Sequence, residues 1–152
     1  MSCSIADSRN SYVYITGGLH NNLGSVRFVT RYSPDGSSKD LPDLNFNRNR
    51  HACSGYYNQN HFVLLVVGGR TQIWDEKHIK SESPVLTSTE VFEVESSSQW
   101  MTVEQYPLAL MGLSAVTIDN KIYVTGDISL LLNNSLEIII NLVLSKSFRL
   151  SL

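Results

Sequence analysis

The chain has 152 residues, 42% hydrophobic and 17% charged, with a net charge of −2. That size suits one ordinary domain, and that balance excludes a disordered chain. Lys and Arg form no stripe, so no nucleic-acid surface is expected.

The chain starts with Ser2 to Ala6, a short strand by composition, then a polar stretch, Asp7 to Ser11. Nothing in the first ten residues has the basic start and apolar run of a secretion signal. Tyr12 to Thr16 is aromatic and β-branched, reads as a strand, and ends at Gly17-Gly18. Leu19 to Ser25 reads as a loop. Val26 to Tyr32 alternates apolar with polar, as an outer strand partly facing solvent should. Ser33-Pro34-Asp35-Gly36 is a turn, and a fourth short strand ends at Pro42.

The same order returns. Arg50 to Tyr57 is a strand, Asn58 to His61 a polar turn, and Phe62 to Val67 an apolar run ending at Gly68-Gly69. A continuous apolar run implies a strand covered on both faces, and this one is far too short to cross a bilayer. Arg70 to Ser88 is the longest loop, Thr89 to Val94 the third strand, and Trp100 to Val103 the fourth. A third round starts with Gly112 to Ile118 and Lys121 to Thr125, then Gly126 followed by Asp127. The glycine positions 17, 68 and 126 are 51 and 58 residues apart, a spacing typical of propeller arrays with one four-stranded blade per repeat. Cys3, Cys53 and Leu113 stand 14, 15 and 13 residues before those glycines and are read as equivalent core positions. The two cysteines are too few for a disulfide scaffold and are expected to be reduced core thiols.

These residues resemble the kelch repeat, in which a strand ends in Gly-Gly and a Tyr and then a Trp follow. The second repeat carries the motif as Gly68, Gly69, Phe92 and Trp100. The first carries Gly17, Gly18 and Tyr32 but no Trp, and the third has Gly126 alone. The expected fold is all-β: an incomplete kelch-type β-propeller of about two and a half four-stranded antiparallel blades, at about 1–44, 45–108 and 109–126, with a non-kelch apolar tail over 127–152. The aromatics are expected to pack between blades. An open stack leaves blade faces and strand edges uncovered, so the isolated chain is expected to self-associate.

The resemblance implies a protein-interaction scaffold derived from a substrate adaptor of a ubiquitin ligase, with a protein or peptide partner held at the end where the post-glycine loops and the blade links meet; the lack of a visible secretion signal makes a cytoplasmic, or else nuclear, location the default expectation. The candidates there are Arg48, Arg50 and His51 in the link and Arg70, Trp74, Lys77 and His78 in the long loop. Arginine pairs well with carboxylates, which suggests an acidic peptide, and an exposed Trp is a common anchor. The competing reading gives these arginines to loop carbonyls. No nucleophile elbow, phosphate loop or second pair of metal-spaced ligands occurs, so no enzyme, cofactor, metal or membrane role is expected. The alternatives are a truncated or splice-variant product without activity of its own and, further off, a fragment of a propeller enzyme.

Overall fold

The computed structural model describes residues 2–73, 84–105, 109, 111–119 and 121–127, together with the backbone of 137–142. The described strands form three antiparallel sheets in chain order. The first joins β1 (Cys3–Asp7), β2 (Tyr12–His20), β3 (Gly24–Tyr32) and β4 (Ser38–Leu41). The second joins β5 (Ala52–Asn58), β6 (His61–Val67), β7 (Ser88–Glu93) and β8 (Met101–Gln105). The third joins β9 (Met111–Ile118), β10 (Lys121–Asp127) and β11 (Glu137–Leu142). Each strand pairs with the next in sequence within its sheet, and the first strands β1, β5 and β9 run beside one another. This is a partial, propeller-like stack.

Tight turns set the register. Gln59 and Asp119 both take positive φ at the head of a short β5–β6 or β9–β10 hairpin, as does Ser11 before β2. In the first sheet Gly17 and Gly18 do not end the strand, as the sequence suggested. They form a bulge, and β2 continues to His20 against β3. In the third sheet β10 runs through Asp127, and β11 pairs along it from Ile122 to Asp127. The sheet therefore does not stop at Gly126, and part of the expected tail supplies its third strand.

Each sheet has a leading face, turned toward the sheet before it, and a trailing face, turned toward the one after. Between the first two sheets lies one core, with Ile5, Tyr14 and Val29 on one side and Phe62, Leu64, Val66, Phe92 and Trp100 on the other. Between the second and third lies another, with Leu65 and Val67 against Leu113, Ile122 and Val124. β6 serves both, which is why its sequence is apolar without alternation. The indole of Trp100 stacks on Phe92 at 5.3 Å and donates to the Pro42 carbonyl at 2.8 Å, so it joins the second sheet to the end of the first.

Strand pairing corrects the alignment of the cysteines. Cys3 pairs with Thr16, Cys53 with Val66 and Ala115 with Val124. Cys53 is thus equivalent to Ser4 and Ala115, while Cys3 is equivalent to Ala52. Cys3 lies on a trailing face and Cys53 on the leading face opposite. They form a disulfide, with Cα atoms 6.0 Å apart, that clamps β1 to β5. The expected reduced thiols are not what the structure contains.

Candidate functional site

The link between the first two sheets threads between their glycine turns. The Gly18 amide donates to the Arg48 carbonyl at 2.8 Å, and Asn49 and Arg70 exchange backbone hydrogen bonds at 3.0 and 2.9 Å. Space there is so tight that side chains are excluded. A Cβ on Gly17, at φ +52°, would stand 2.6 Å from the Arg48 carbonyl oxygen; one on Gly69, at φ +88°, would stand 2.6 Å from that of Asn49. One glycine of each pair, Gly17 in the first and Gly69 in the second, is therefore required by the close passage of the link. Ser25 ties the same region together: its hydroxyl accepts from Asn49 Nδ2 at 2.6 Å and from the Gln72 amide at 2.7 Å.

The candidate residues divide sharply on this frame. Arg48 is fully buried. Its Nη1 donates to the carbonyls of Gly68 and Ser88 at 2.7 and 3.2 Å, and its Nη2 to Ser88 Oγ at 2.9 Å and to the equally buried Glu90 carboxylate. Glu90 in turn accepts from the Asn45 amide at 2.6 Å. Arg48 is thus a strut between link and blade, the loop-carbonyl alternative, and presents nothing to a partner. Burial pushes its pKa down, opposed by Glu90 beside it. His51 is buried too, its Nε2 2.8 Å from Thr16 Oγ1. Burial and the Arg48 charge press its pKa to about 3, so it is neutral near neutral pH.

Arg50 and Arg70 are different. Arg50 is exposed and holds a left-handed φ of 54°, with its carbonyl taken by the Gly112 amide at 3.0 Å. Arg70 is half-buried; one guanidinium nitrogen donates to Gln72 Oε1 at 3.0 Å and its Nε is buried without a partner. Burial lowers its pKa, and so does the positive charge of Arg50, which follows Asn49, the residue whose backbone pairs with Arg70. Neither has a carboxylate partner among the described residues. Trp74, Lys77 and His78 lie outside the described residues.

Of the motif residues, Phe92 and Trp100 are buried between the sheets, whereas Tyr32 is 43% exposed. Tyr32 pairs with Val13 as Phe92 pairs with Leu64, so the two are equivalent, but Tyr32 sits on the leading face of the first sheet, which no described sheet covers. Its expected inter-blade packing therefore does not occur among the described residues.

The opposite end of the first two sheets carries a polar network that composition alone does not single out. Asp7 accepts from the Tyr57 hydroxyl, from Asn10 Nδ2 at 2.9 Å and from the Arg9 amide at 3.0 Å. Burial would raise its pKa, but these bonds outweigh it and the pKa is lowered, while Tyr57 is pushed up to about 12 by burial and the Asp7 charge. Every Asp7 contact is satisfied, so this cluster is a brace between the turns. Among the described residues there is no group of three or more metal-ligating side chains, and no helix is long and apolar enough to cross a membrane.

No protein-family model matches the chain, and no curated protein matches it in sequence. Among solved structures it is similar to YjhT, with a TM-score of 0.69 at 8% identity over 92% of this chain and 41% of that one. At that identity the likeness establishes a shared all-β fold, and the chain spans about two fifths of YjhT.

Proposed function

We propose that the chain is a protein-binding module of kelch type, not an enzyme, and that it holds an acidic segment of its partner at the glycine-turn end. The observation that carries this reading is the pair Arg50 and Arg70: Arg50 is exposed on a left-handed backbone next to Asn49, whose backbone pairs with that of half-buried Arg70. Like charges held together, with no carboxylate partner among the described residues, cost free energy unless something else uses them, and a carboxylate would relieve the repulsion. Loop ends set on a rigid sheet frame are where binding residues concentrate. The kelch-like spacing of the glycine pairs supports a scaffold over a catalyst. The role of a ubiquitin-ligase substrate adaptor belongs to the same reading, at the level of a longer protein carrying these blades.

A labelled glutamate-rich peptide, titrated by fluorescence anisotropy against the matching glutamine peptide, tests the site. The expected result is binding of the acidic peptide alone, weakened at least tenfold by Arg50→Ala and by Arg70→Ala and unchanged by Arg27→Ala, which removes an arginine already paired with Asp43. Equal binding by the Arg50→Ala/Arg70→Ala double variant and the parent would overturn the proposal.

A further inference from the structure

The segment that follows the second glycine pair, 70–72, is pinned from two sides. Arg70 exchanges backbone hydrogen bonds with Asn49 of the link at 3.0 and 2.9 Å. Gln72 is tied to the first sheet: its carbonyl accepts from the Ser25 amide at 2.7 Å, and its own amide donates to Ser25 Oγ at 2.7 Å. Asn49 Nδ2 donates to the same hydroxyl at 2.6 Å, which closes the frame. Gln72 is 5% exposed, and its Oε1 accepts from Arg70 Nη2 at 3.0 Å. A buried amide on a pinned backbone therefore sets where the Arg70 guanidinium stands.

Arginines at this end meet two kinds of acceptor. Arg48 meets the carboxylate of Glu90, both side chains are fully buried, and its charge is cancelled inside the fold. Arg70 meets a carboxamide oxygen, which accepts a hydrogen bond as a carboxylate oxygen does but carries no net charge. Arg70 is thus oriented without being neutralised among the described residues. The repeat does not demand this pair. Counted from the glycines, the first sheet has Leu19 and Asn21 where the second has Arg70 and Gln72.

We infer that Gln72 is the positioning residue of the acidic-partner site: it aims the Arg70 guanidinium through a neutral acceptor and so leaves its charge for a carboxylate of the partner. The inference rests on the acidic-segment reading and adds that position 72 must be uncharged. A binding group held in place before the ligand arrives loses less freedom on binding. A glutamate at 72 would have the same shape and would orient Arg70 equally well, but it would turn the contact into a closed pair like that of Arg48. One isosteric substitution therefore separates orientation from charge.

The anisotropy titration with the glutamate-rich peptide, repeated on Gln72→Glu, Gln72→Ala and Arg70→Ala/Gln72→Ala, tests this. Gln72→Glu is expected to weaken binding roughly tenfold or more while far-UV circular dichroism stays unchanged. Its remaining affinity should fall less steeply with added salt than the parent's, because one cation fewer faces the peptide. Gln72→Ala is expected to weaken binding about threefold, by freeing the Arg70 side chain. The same change should add nothing in the Arg70→Ala background, because Gln72 acts through that side chain. A folded Gln72→Glu chain that binds as tightly as the parent overturns the inference. So does an equal loss from Gln72→Ala with and without Arg70, which would make Gln72 part of the frame alone. In both of these outcomes Arg70→Ala still weakens binding, so the acidic-segment reading stands. If Arg50→Ala and Arg70→Ala bind like the parent, that reading fails and the inference falls with it. Should Gln72→Ala fail to fold, Gln72→Met, which keeps the length and removes the acceptor, takes its place with the same expected outcomes.

Discussion

At the level of single residues, burial decides which candidate can act. Arg48 and His51 looked no different in sequence from Arg50: all are basic residues in one short polar link. The link is threaded between two glycine turns, so Arg48, Asn49 and His51 are buried and Arg50 is exposed, and the burial of Arg48 depends on contacts about 20 to 40 residues away, with Gly68, Ser88 and Glu90. No local pattern reports such contacts. His51 gives the arrangement a measurable consequence. Its folded pKa of about 3 lies below the ordinary value of 6.5, so between those limits the unfolded chain binds the proton and the folded chain does not. The stability that follows is fully present above pH 6.5 and is lost as pH falls toward 3, at up to about 1.4 kcal/mol per pH unit. Asp7, also lowered, loses its share only below the usual carboxylate value of 3.8, so its window overlaps that of His51 only there and lies clear of pH 4.5. Urea unfolding at pH 7.5 and at pH 4.5 is expected to show the parent losing stability between the two, and His51→Gln losing distinctly less. Identical losses in both chains would mean that His51 protonates freely in the folded state.

At the level of strands, the order and limits of the elements were largely legible, and their faces were not. Apolar runs, glycine pairs and polar turns located ten strands, because each strand carries its own composition and each turn its own backbone demand. The faces depend on register. Cys3 pairs with Thr16 across a hairpin 13 residues long, and Ala52 with Val67 across one of 15, so Cys3 and Cys53, which seemed equivalent, fall on facing surfaces of β1 and β5. β11 carries no kelch motif, and it pairs along the edge of β10 from Ile122 to Asp127. The disulfide ties residues 50 apart in sequence, and in the chain-entropy picture such a link stabilises by about 4 kcal/mol. Reducing the chain is therefore expected to lower its unfolding free energy by several kcal/mol, and Cys3→Ser to match the reduced parent without responding to reductant. A thiol assay in denaturant should find no free thiol before reduction. Two reactive thiols and a reductant-independent urea midpoint would restore the reading from composition.

At the level of the whole chain, three stacked sheets behave as a short linear array in which each sheet is held by its neighbours. The second sheet has a described neighbour on both faces: every residue from Phe62 to Val67 is buried, and both cores draw on β6. The first sheet has one such neighbour, but shares with it the larger core, the disulfide, the Arg31–Glu95 ion pair at 3.8 Å and the Trp100 bond to Pro42. The third also has one, with the smaller core and a hydroxyl contact at 2.8 Å between Ser54 and Thr117. Local opening follows how much each unit shares with its neighbours, so protection should not be uniform. Amide hydrogen exchange at concentrations dilute enough to separate any two copies is expected to rank β6 slowest, β2 next and β10 fastest. Reduction of the disulfide should speed β2 toward β10 and leave the second core in place. Exchange from β10 as slow as from β6 in dilute solution would mean that the three sheets open as one unit, and that the stack is not an array of separable sheets.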